Sequence, residues 1–161
     1  MRNATKGQII LAVGLPGSGK SSYFAQRGIH PLSSDTLRLW LLDDETDQSS
    51  QKQVFQALRR LLKIRLLLGR PKNYVDATNL TPKERRPYAR MAARYGYQLQ
   101  AIFFDVPLKV CQERNRKRGR RVPDAAMQRM AAKLVPPSLA EGFCRIRIVR
   151  PPRSKSRAVS G

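Results

Sequence analysis

The sequence of 161 residues is poor in cysteine, histidine and long apolar runs, and each shortage excludes a class of protein. Its two cysteines, Cys111 and Cys144, form neither a disulfide framework nor a zinc-binding spacing, and both are expected to be small buried apolar residues. The single histidine, His30, has no partner motif and is expected at the surface or at a strand end. No apolar run nears the roughly 20 residues of a membrane span, and a signal-peptide core is lacking. A cytoplasmic protein without membrane contact is therefore expected.

Acidic residues are also scarce, since 11 aspartates and glutamates face 32 lysines and arginines, which gives a net charge of +21. The segment 150–161 carries four basic residues and no acid, so +17 of this charge belongs to residues 1–149. Such a field attracts polyanions, nucleic acids among them. An arginine-rich genome gives the same composition without such a partner, and composition alone leaves both explanations open. The segment 150–161 has few apolar residues and is expected to be a disordered basic tail.

Hydrophobic residues make up 41% of the sequence, and the length suits one domain with a proper core. Short apolar runs alternate with stretches of helical periodicity, which is typical of a parallel three-layer α/β sheet. Ligands bind at the carboxyl ends of the strands in such sheets. We predict one α/β domain over residues 7–149, with five parallel strands near 8–13, 30–33, 73–76, 97–104 and 145–149.

A glycine-rich segment follows the first predicted strand, and its residues are Gly14-Leu15-Pro16-Gly17-Ser18-Gly19-Lys20-Ser21. It matches G-x-x-x-x-G-K-[ST] at every fixed position, with a strand before it and a helical stretch after it, as this phosphate-binding loop requires. Glycines let backbone N–H groups turn towards a phosphate, and the helix N-terminus adds positive partial charge. Lys20 can reach the β- and γ-phosphates, and the Ser21 hydroxyl can ligate Mg²⁺. The loop therefore predicts binding of ATP, or another nucleoside triphosphate, together with Mg²⁺.

Two carboxylates, Asp35 and Asp76, lie where predicted strands end, at the same edge of the sheet as the phosphate-binding loop. An acceptor hydroxyl needs a carboxylate within hydrogen-bond reach, which makes Asp35 a candidate general base. Arg38 follows one helical turn later, so both side chains can face one cleft. The structural alternatives are that Asp35 is only a helix N-cap and Arg38 only a surface charge, although Ser33 or Ser34 could cap instead.

Further segments carry a family resemblance, and they are Ser34-Asp35-Thr36-Leu37-Arg38, Val75-Asp76-Ala77-Thr78-Asn79-Leu80, Glu113-Arg114-Asn115-Arg116-Lys117-Arg118-Gly119 and Val122-Pro123. Together with the phosphate-binding loop they resemble the polynucleotide 5′-kinase domain of bacteriophage and bacterial end-healing enzymes. The likeness covers about residues 8–149. The loop is generic, whereas D-x-x-R combined with E-R-N-x-x-R-G is much more discriminating.

The resemblance implies a three-layer P-loop kinase-like domain and a role for each matching residue. Asp35 is then the general base, Arg38 holds a phosphate of the acceptor strand, and Asp76 orients the water shell of the metal. Arg114 and Arg118 belong to a lid at about 114–122 that closes over the donor phosphates, although a solvated basic face is the usual explanation of such a run. The candidate catalytic residues are thus Asp35, Arg38, Lys20 and Arg118, the candidate nucleotide-binding residues are Gly14, Pro16, Gly17, Ser18, Gly19, Lys20, Ser21, Ser22, Arg114 and Arg118, and the candidate metal ligands are Ser21 and Asp76.

Three functions agree with these residues. The first is transfer of the γ-phosphate of ATP, or another nucleoside triphosphate, to a 5′-hydroxyl of RNA or DNA. The second keeps the kinase chemistry but uses a small molecule or a group linked to transfer RNA as acceptor. The third is a nucleotide-binding module without transfer. The +17 charge of residues 1–149 favours a polynucleotide acceptor over a small one.

Overall fold

Parallel strands and helices alternate along the chain in the computed structural model, which describes residues 4–119 and 122–153. The strands are β1 (Gln8–Val13), β2 (Leu32–Ser33), β3 (Lys72–Asp76), β4 (Gln98–Phe104) and β5 (Phe143–Val149). The helices are α1 (Lys20–Gln26), α2 (Ser34–Leu42), α3 (Gln51–Leu67), α4 (Pro82–Tyr95), α5 (Leu108–Lys117) and α6 (Asp124–Lys133), with a 3₁₀ turn at Leu139–Glu141. The predicted α/β class and the five parallel strands are confirmed.

The sheet has the strand order β2-β3-β1-β4-β5, and every neighbouring pair is parallel. The strand that precedes the phosphate-binding loop therefore lies at the centre, with β3 directly beside it. The strand predicted at 30–33 is only two residues long, since Pro31 has no N–H to donate to a neighbouring strand. This order brings the carboxyl ends of β1, β2 and β3 together at one edge.

Two apolar cores, one on each face of the sheet, complete the three layers. Alternate residues of β1 point to opposite faces, so Leu11 belongs to one core and Ala12 to the other. Helices α2, α3 and α4 cover the first core, whereas α1, α5 and α6 cover the second. Met127 of α6 is buried in the second core. On α3, the apolar spacing predicts one buried face, and the structure buries Val54, Leu58 and Leu62 in the first core but leaves Leu61 and Ile64 exposed.

The start of α4 departs in detail from the pattern Thr81-Pro82-Lys83-Glu84, which predicts a reciprocal capping box. Thr81 caps the helix, because its Oγ1 accepts a hydrogen bond from the Glu84 N–H at 3.2 Å. The Glu84 carboxylate instead accepts from the N–H of Leu80, at 2.8 Å. A proline inside a helix, such as Pro87, can delay the regular start of the helix. Here α4 begins at Pro82, so Pro87 does not delay it.

A buried arginine anchors α4 to the loop that follows β3. Arg85 is 1% exposed, and its guanidinium binds both carboxylate oxygens of Glu141, at 2.8 and 3.0 Å. Its remaining terminal nitrogen donates to the backbone oxygen of Asn79 at 2.8 Å. Asn79, which has a positive φ of 47°, donates in turn to the oxygen of Ala12 on β1. These bonds fix the β3–α4 loop beside the edge where the candidate site lies.

The two cysteines differ in their surroundings. Cys111 is fully buried in the second core, as predicted. Cys144 is exposed, so the prediction of a buried residue is wrong at this position. It lies on β5, an edge strand that has a neighbour on one side only, and an edge strand leaves part of its surface uncovered.

Within the described ranges, no helix is both long and apolar enough to cross a membrane. The predicted basic tail lies largely outside those ranges, since residues 154–161 are not described, and the prediction of disorder there stays untested. His30 is exposed, in agreement with its expected place outside the core.

Candidate active site

The phosphate-binding loop and Asp76 meet because β1 and β3 are neighbours in the sheet. The loop leaves the carboxyl end of β1, and Asp76 is the last residue of β3. Ser21, on the first turn of α1, donates its hydroxyl hydrogen to Asp76 Oδ2 at 3.0 Å. The two residues predicted as metal ligands are therefore in direct contact, although they are 55 positions apart in the sequence.

The glycines of the loop are required by its conformation and by its packing. Gly17 and Gly19 have φ angles of +79° and +98°, in the left-handed region that favours glycine. A Cβ on Gly17 would lie 2.5 Å from the backbone oxygen of Cys111, so the start of α5 packs tightly against the loop. The N–H of Gly14 donates to the oxygen of Thr78 at 3.0 Å, which ties the loop to the segment that follows β3.

Lys20 is buried beneath the loop and closes it upon itself. Its Nζ donates to the backbone oxygens of Gly14 and Leu15, both at 2.8 Å. Burial lowers the pKa of Lys20 from 10.5 to about 8, although the nearby carboxylates of Asp76 and Asp35 act in the opposite direction. Asp35 is thus close enough to the loop for its charge to act on Lys20.

We expect the lowered pKa of Lys20 to make nucleotide binding take up a proton at alkaline pH. An anionic phosphate favours the ammonium form, so affinity should be constant below pH 8 and should fall above it by about tenfold per pH unit. Calorimetric titration with nucleotide in two buffers of different ionisation enthalpy measures this directly. At pH 9 binding should take up close to one proton, and a titration at pH 9 without proton uptake would contradict the shift.

Asp35 and Arg38 form a pair on the first turn of α2. The Oγ of Ser33 accepts from the N–H of Thr36 and caps the helix, so the alternative role of Asp35 as N-cap is wrong. Asp35 Oδ1 accepts from Arg38 Nη1 at 2.8 Å, while Arg38 Nη2 donates to Gln51 of α3 at 2.6 Å. Arg38 is only 5% exposed, which rules out the alternative of a solvated surface charge.

The predicted lid lies at the end of α5, and its arginines point to the loop and to α1. Arg118 Nη2 donates to the Ser22 hydroxyl at 3.3 Å. Arg114 Nη1 lies 3.5 Å from the position that a Cβ on Gly19 would occupy. Part of the lid, residues 120 and 121, lies outside the described residues. Both predicted lid arginines are thus beside the phosphate-binding loop.

Asn115 has a role that sequence reasoning missed. Its side-chain amide donates to the oxygen of Val122 at 2.9 Å and accepts from the Val122 N–H at 3.2 Å. These two bonds join the two sides of the predicted lid, from the last turn of α5 to the residue before Pro123. In the sequence, Asn115 is only an asparagine near the end of a helix that Gly119 terminates. Many asparagines occupy such positions, so the sequence does not indicate that Asn115 binds the backbone of Val122.

A cleft of about 1140 Å³ connects these groups. Nine of the predicted site residues line it, and they are Pro16, Gly17, Gly19, Lys20, Ser21, Asp35, Arg38, Asp76 and Arg118. Gly14 and Ser18 belong to the loop, and Ser22 and Arg114 lie next to it, but these four residues do not line the cleft. Beyond Arg38 the cleft continues between α3 and α4, along a wall that sequence analysis did not assign to the site, lined by Gln51, Lys52, Phe55, Arg59, Lys83, Glu84, Pro87 and Tyr88.

The contact between Ser21 and Asp76 is the one that suits a divalent cation. It supplies a hydroxyl and a carboxylate oxygen beside a phosphate-binding loop. Mg²⁺ prefers oxygen ligands and keeps several waters, so it is held by one or two side chains together with substrate phosphates. No group of three or more histidine, cysteine or acidic side chains that could cage a metal occurs among the described residues. The oxygens of Ser21 and Asp76 therefore fit Mg²⁺ that is bound together with a nucleotide.

Comparison with known proteins supports the same class of fold. The Pnkp1/Rnl/Hen1 RNA repair complex aligns with a TM-score of 0.67 at 23% identity, over 83% of this chain and 45% of that chain. Chaetomium thermophilum Kti12 in complex with ADP-AlF3 gives 0.67 at 17% identity, over 91% of both chains. The Mycobacterium tuberculosis APS kinase CysC in complex with AMPPNP and APS gives 0.59 at 22% identity, over 94% of this chain and 92% of that chain.

The sequence model of the family described as AAA domain matches residues 9–137. This range contains the phosphate-binding loop, both strand-end carboxylates and helices α1 to α6. Because the match covers most of the chain, the protein belongs to the AAA domain family, and its fold is that of a P-loop kinase-like nucleotide-binding domain.

Proposed function

We propose that the protein transfers the γ-phosphate of ATP, or of another nucleoside triphosphate, to the 5′-hydroxyl of a polynucleotide. The observation that carries the proposal is the pair of Asp35 and Arg38 in one cleft with Lys20 of the phosphate-binding loop. A nucleotide-binding module without transfer needs the loop but has no use for a carboxylate and a buried arginine opposite it. The pair therefore favours a kinase.

The proposed reaction begins with the acceptor hydroxyl beside Asp35. Asp35 accepts its proton while the hydroxyl oxygen forms a bond to the γ-phosphorus and the bond to the β–γ bridging oxygen breaks. The products are ADP, which keeps the bridging oxygen, and a 5′-phosphorylated strand. Lys20 and Arg118 both line the cleft. In the proposed reaction they neutralise charge on the transferring group, and a fixed cation has its largest effect there in the transition state.

Ser21 and Asp76 are the residues that would hold Mg²⁺ with the donor phosphates. When bound, the ion supplies charge neutralisation on the β- and γ-phosphate oxygens. Asp76 would reach it directly or through water, while Ser21 would exchange its present hydrogen bond to Asp76 for a contact to the cation.

Charge favours a polynucleotide acceptor over a small molecule. Residues 1–149 carry +17, and the cleft wall beyond Arg38 includes the cations Lys52, Arg59 and Lys83. A chain of phosphates can use cations spread along a wall, whereas a small acceptor needs only those next to the reacting hydroxyl. The solved relatives include both an RNA repair complex and a kinase bound to APS, so acceptor class is the point to test.

One assay separates the three candidate functions. The protein is incubated with γ-labelled ATP, Mg²⁺ and single-stranded RNA or DNA that ends in a 5′-hydroxyl. Label on the oligonucleotide is the expected result, and an oligonucleotide already 5′-phosphorylated is the control that must remain unlabelled. Consumption of ATP without labelled oligonucleotide would favour a small acceptor, while binding of ATP without turnover would favour the nucleotide-binding module.

Changing Arg38 or Arg118 to alanine should impair different steps of the reaction. Arg38→Ala should weaken the use of oligonucleotide and leave nucleotide binding nearly intact, because Arg38 lies beside the proposed base. Arg118→Ala should slow transfer even at saturating oligonucleotide. Acceptor affinity should fall with salt by a log–log slope of about 0.7 for each single-strand phosphate neutralised, and only Arg38→Ala should make that slope shallower. Apparent acceptor affinities at several salt concentrations decide this, and identical behaviour of the two variants would make 114–121 a general nucleic-acid patch.

A further inference from the structure

We infer that the cleft between α3 and α4 holds a subsite that reads the first nucleobase of the acceptor strand. The subsite is formed by Phe55 and Arg59 of α3 and by Tyr88 of α4, all of which line the cleft. The inference rests on the polynucleotide kinase function proposed above and extends it to a preference for particular 5′-terminal nucleotides.

Tyr88 is the first observation that points to a ligand. Its side chain is 1% exposed, yet no hydrogen-bond partner for its hydroxyl exists among the residues that the structure describes. Burying an unpaired hydroxyl destabilises a fold, and most buried polar groups find a partner. Burial also raises the pKa of Tyr88 to about 12, so the hydroxyl stays protonated at neutral pH and can both donate and accept.

The charges beside Tyr88 suit a nucleobase better than a phosphate. Arg59 and Glu84 both act on its hydroxyl electrostatically, with opposite effects on its pKa, and both line the cleft. The Glu84 carboxylate is held there by the N–H of Leu80. A phosphate at this point would face a fixed carboxylate, whereas the edge of a base carries both donors and acceptors.

Phe55 links this point to the reaction centre. Its ring lies 6.0 Å from the guanidinium carbon of Arg38, which bonds both Asp35 and Gln51. At 1.5 Å per residue, Arg59 lies about 6 Å further along α3 than Phe55, on the same face. From the reaction centre outward, the proposed general base Asp35 and Arg38 therefore come first, and the ring of Phe55 follows. The last part of the wall carries both charges, from Arg59 and Glu84. Bases stack on such aromatic rings in single-strand sites.

The test uses five oligonucleotides with a 5′-hydroxyl, identical except that the first residue carries one of the four bases or none. Wild-type kcat/KM should be lower for the abasic acceptor than for the best base by about 5- to 100-fold, mainly through KM, because stacking is lost. Tyr88→Phe should reduce discrimination among the four bases by about 3- to 10-fold. Tyr95→Phe is the matched control, since Tyr95 lies on the same helix outside the cleft, and it should leave discrimination unchanged.

A second pair of variants tests the charged wall. Arg59→Gln should reduce discrimination in the same way as Tyr88→Phe, while Arg60→Gln, its exposed neighbour outside the cleft, should match wild type. If Arg60→Gln lowered acceptor use as much as Arg59→Gln, the effect would be general attraction between charges and the subsite would be wrong.

Thermal unfolding gives a readout that does not depend on activity. Removing an unpaired buried hydroxyl should raise the Tm of Tyr88→Phe by about 2–6 °C. A lower Tm would mean that the hydroxyl has a structural role, which would overturn the inference. Equal kcat/KM for all five acceptors would overturn the subsite and leave the kinase function intact. Transfer to none of them by the wild-type protein would overturn both.

Discussion

Lys20→Ala is expected to reduce phosphate transfer by about 10³–10⁵, by analogy with the range that an arginine on the transferring phosphoryl group supplies in GTPases. In the proposed reaction Lys20 is the cation beside the β- and γ-phosphates, and in the structure two backbone oxygens of the loop hold its Nζ. The loss should appear in kcat as well as in nucleotide affinity. Transfer of label from γ-labelled ATP to a 5′-hydroxyl oligonucleotide measures it, and a rate equal to that of wild type would assign the activity to a contaminant.

The stability of Lys20→Ala distinguishes lost chemistry from lost folding. Burial lowers the pKa of Lys20 to about 8, so at pH 7 the fold holds a cation that the solvent would hold more favourably. The folded protein releases this proton at a lower pH than the unfolded chain, so the penalty disappears as pH rises from about 8 to 10.5. We therefore expect Lys20→Ala to melt at or above the wild-type Tm at pH 7.

Lys63→Ala provides the matched control for this variant. Lys63 is an exposed residue of α3 that does not line the cleft, and its loss removes the same formal charge. It should retain transfer and should still take up a proton on nucleotide binding at pH 9, whereas Lys20→Ala should show neither. A similar loss of transfer in both variants would mean that total charge, and not the loop lysine, controls the reaction.

The predicted site residues that the structure brings together are those whose placement depends on a local pattern or on the parallel sheet alone. The phosphate-binding loop is a run of eight consecutive residues, so a strand before it and a helix after it determine its shape. Asp35 and Arg38 are three residues apart on one helix, which places them on one face whatever the rest of the chain does. The approach of Asp76 to Ser21 required only a parallel sheet, because the carboxyl ends of its strands share one edge.

The acceptor wall could not be predicted in this way, because it depends on how two helices pack. Phe55 belongs to a stripe of apolar residues on α3, and this pattern predicts a core residue equally well. Tyr88 packs in the first core and also lines the cleft. No spacing in the sequence distinguishes a tyrosine that only packs in the core from one that also lines a cleft. Such residues are identified only when the groove between α3 and α4 is known.

The errors elsewhere have the same origin. A capping box predicts that the Glu84 carboxylate accepts from the N–H of Thr81, but it accepts from the adjacent N–H of Leu80. The conformation of the β3–α4 loop decides which of the two N–H groups points towards the carboxylate. Buried Arg85 fixes that loop through Glu141, which is 56 residues away in the sequence. The exposure of Cys144 follows from the place of β5 at the end of the sheet, and strand order is a property of the whole fold.

Asp35→Asn is expected to lower transfer by about 10²–10⁴ while ATP binding stays close to wild type, as loss of a general base implies. An asparagine keeps an oxygen that can accept from Arg38 Nη1, so the position of the arginine should be preserved. The variant therefore separates the two roles of Asp35. If it serves only to hold Arg38, Asp35→Asn will retain most activity and Asp35→Ala will lose it. If it is the base, both variants will be equally slow.

Asp43→Asn is the control, since it removes the same charge eight residues later. Asp43 ends α2 in the left-handed conformation, with φ 58°, which asparagine tolerates well, and it does not line the cleft. Single-turnover transfer at saturating ATP and oligonucleotide should be unchanged in Asp43→Asn and slow in Asp35→Asn. Because saturation removes any effect on binding, a slow step under these conditions lies in proton removal or phosphate transfer. A wild-type rate in Asp35→Asn would exclude Asp35 as the base.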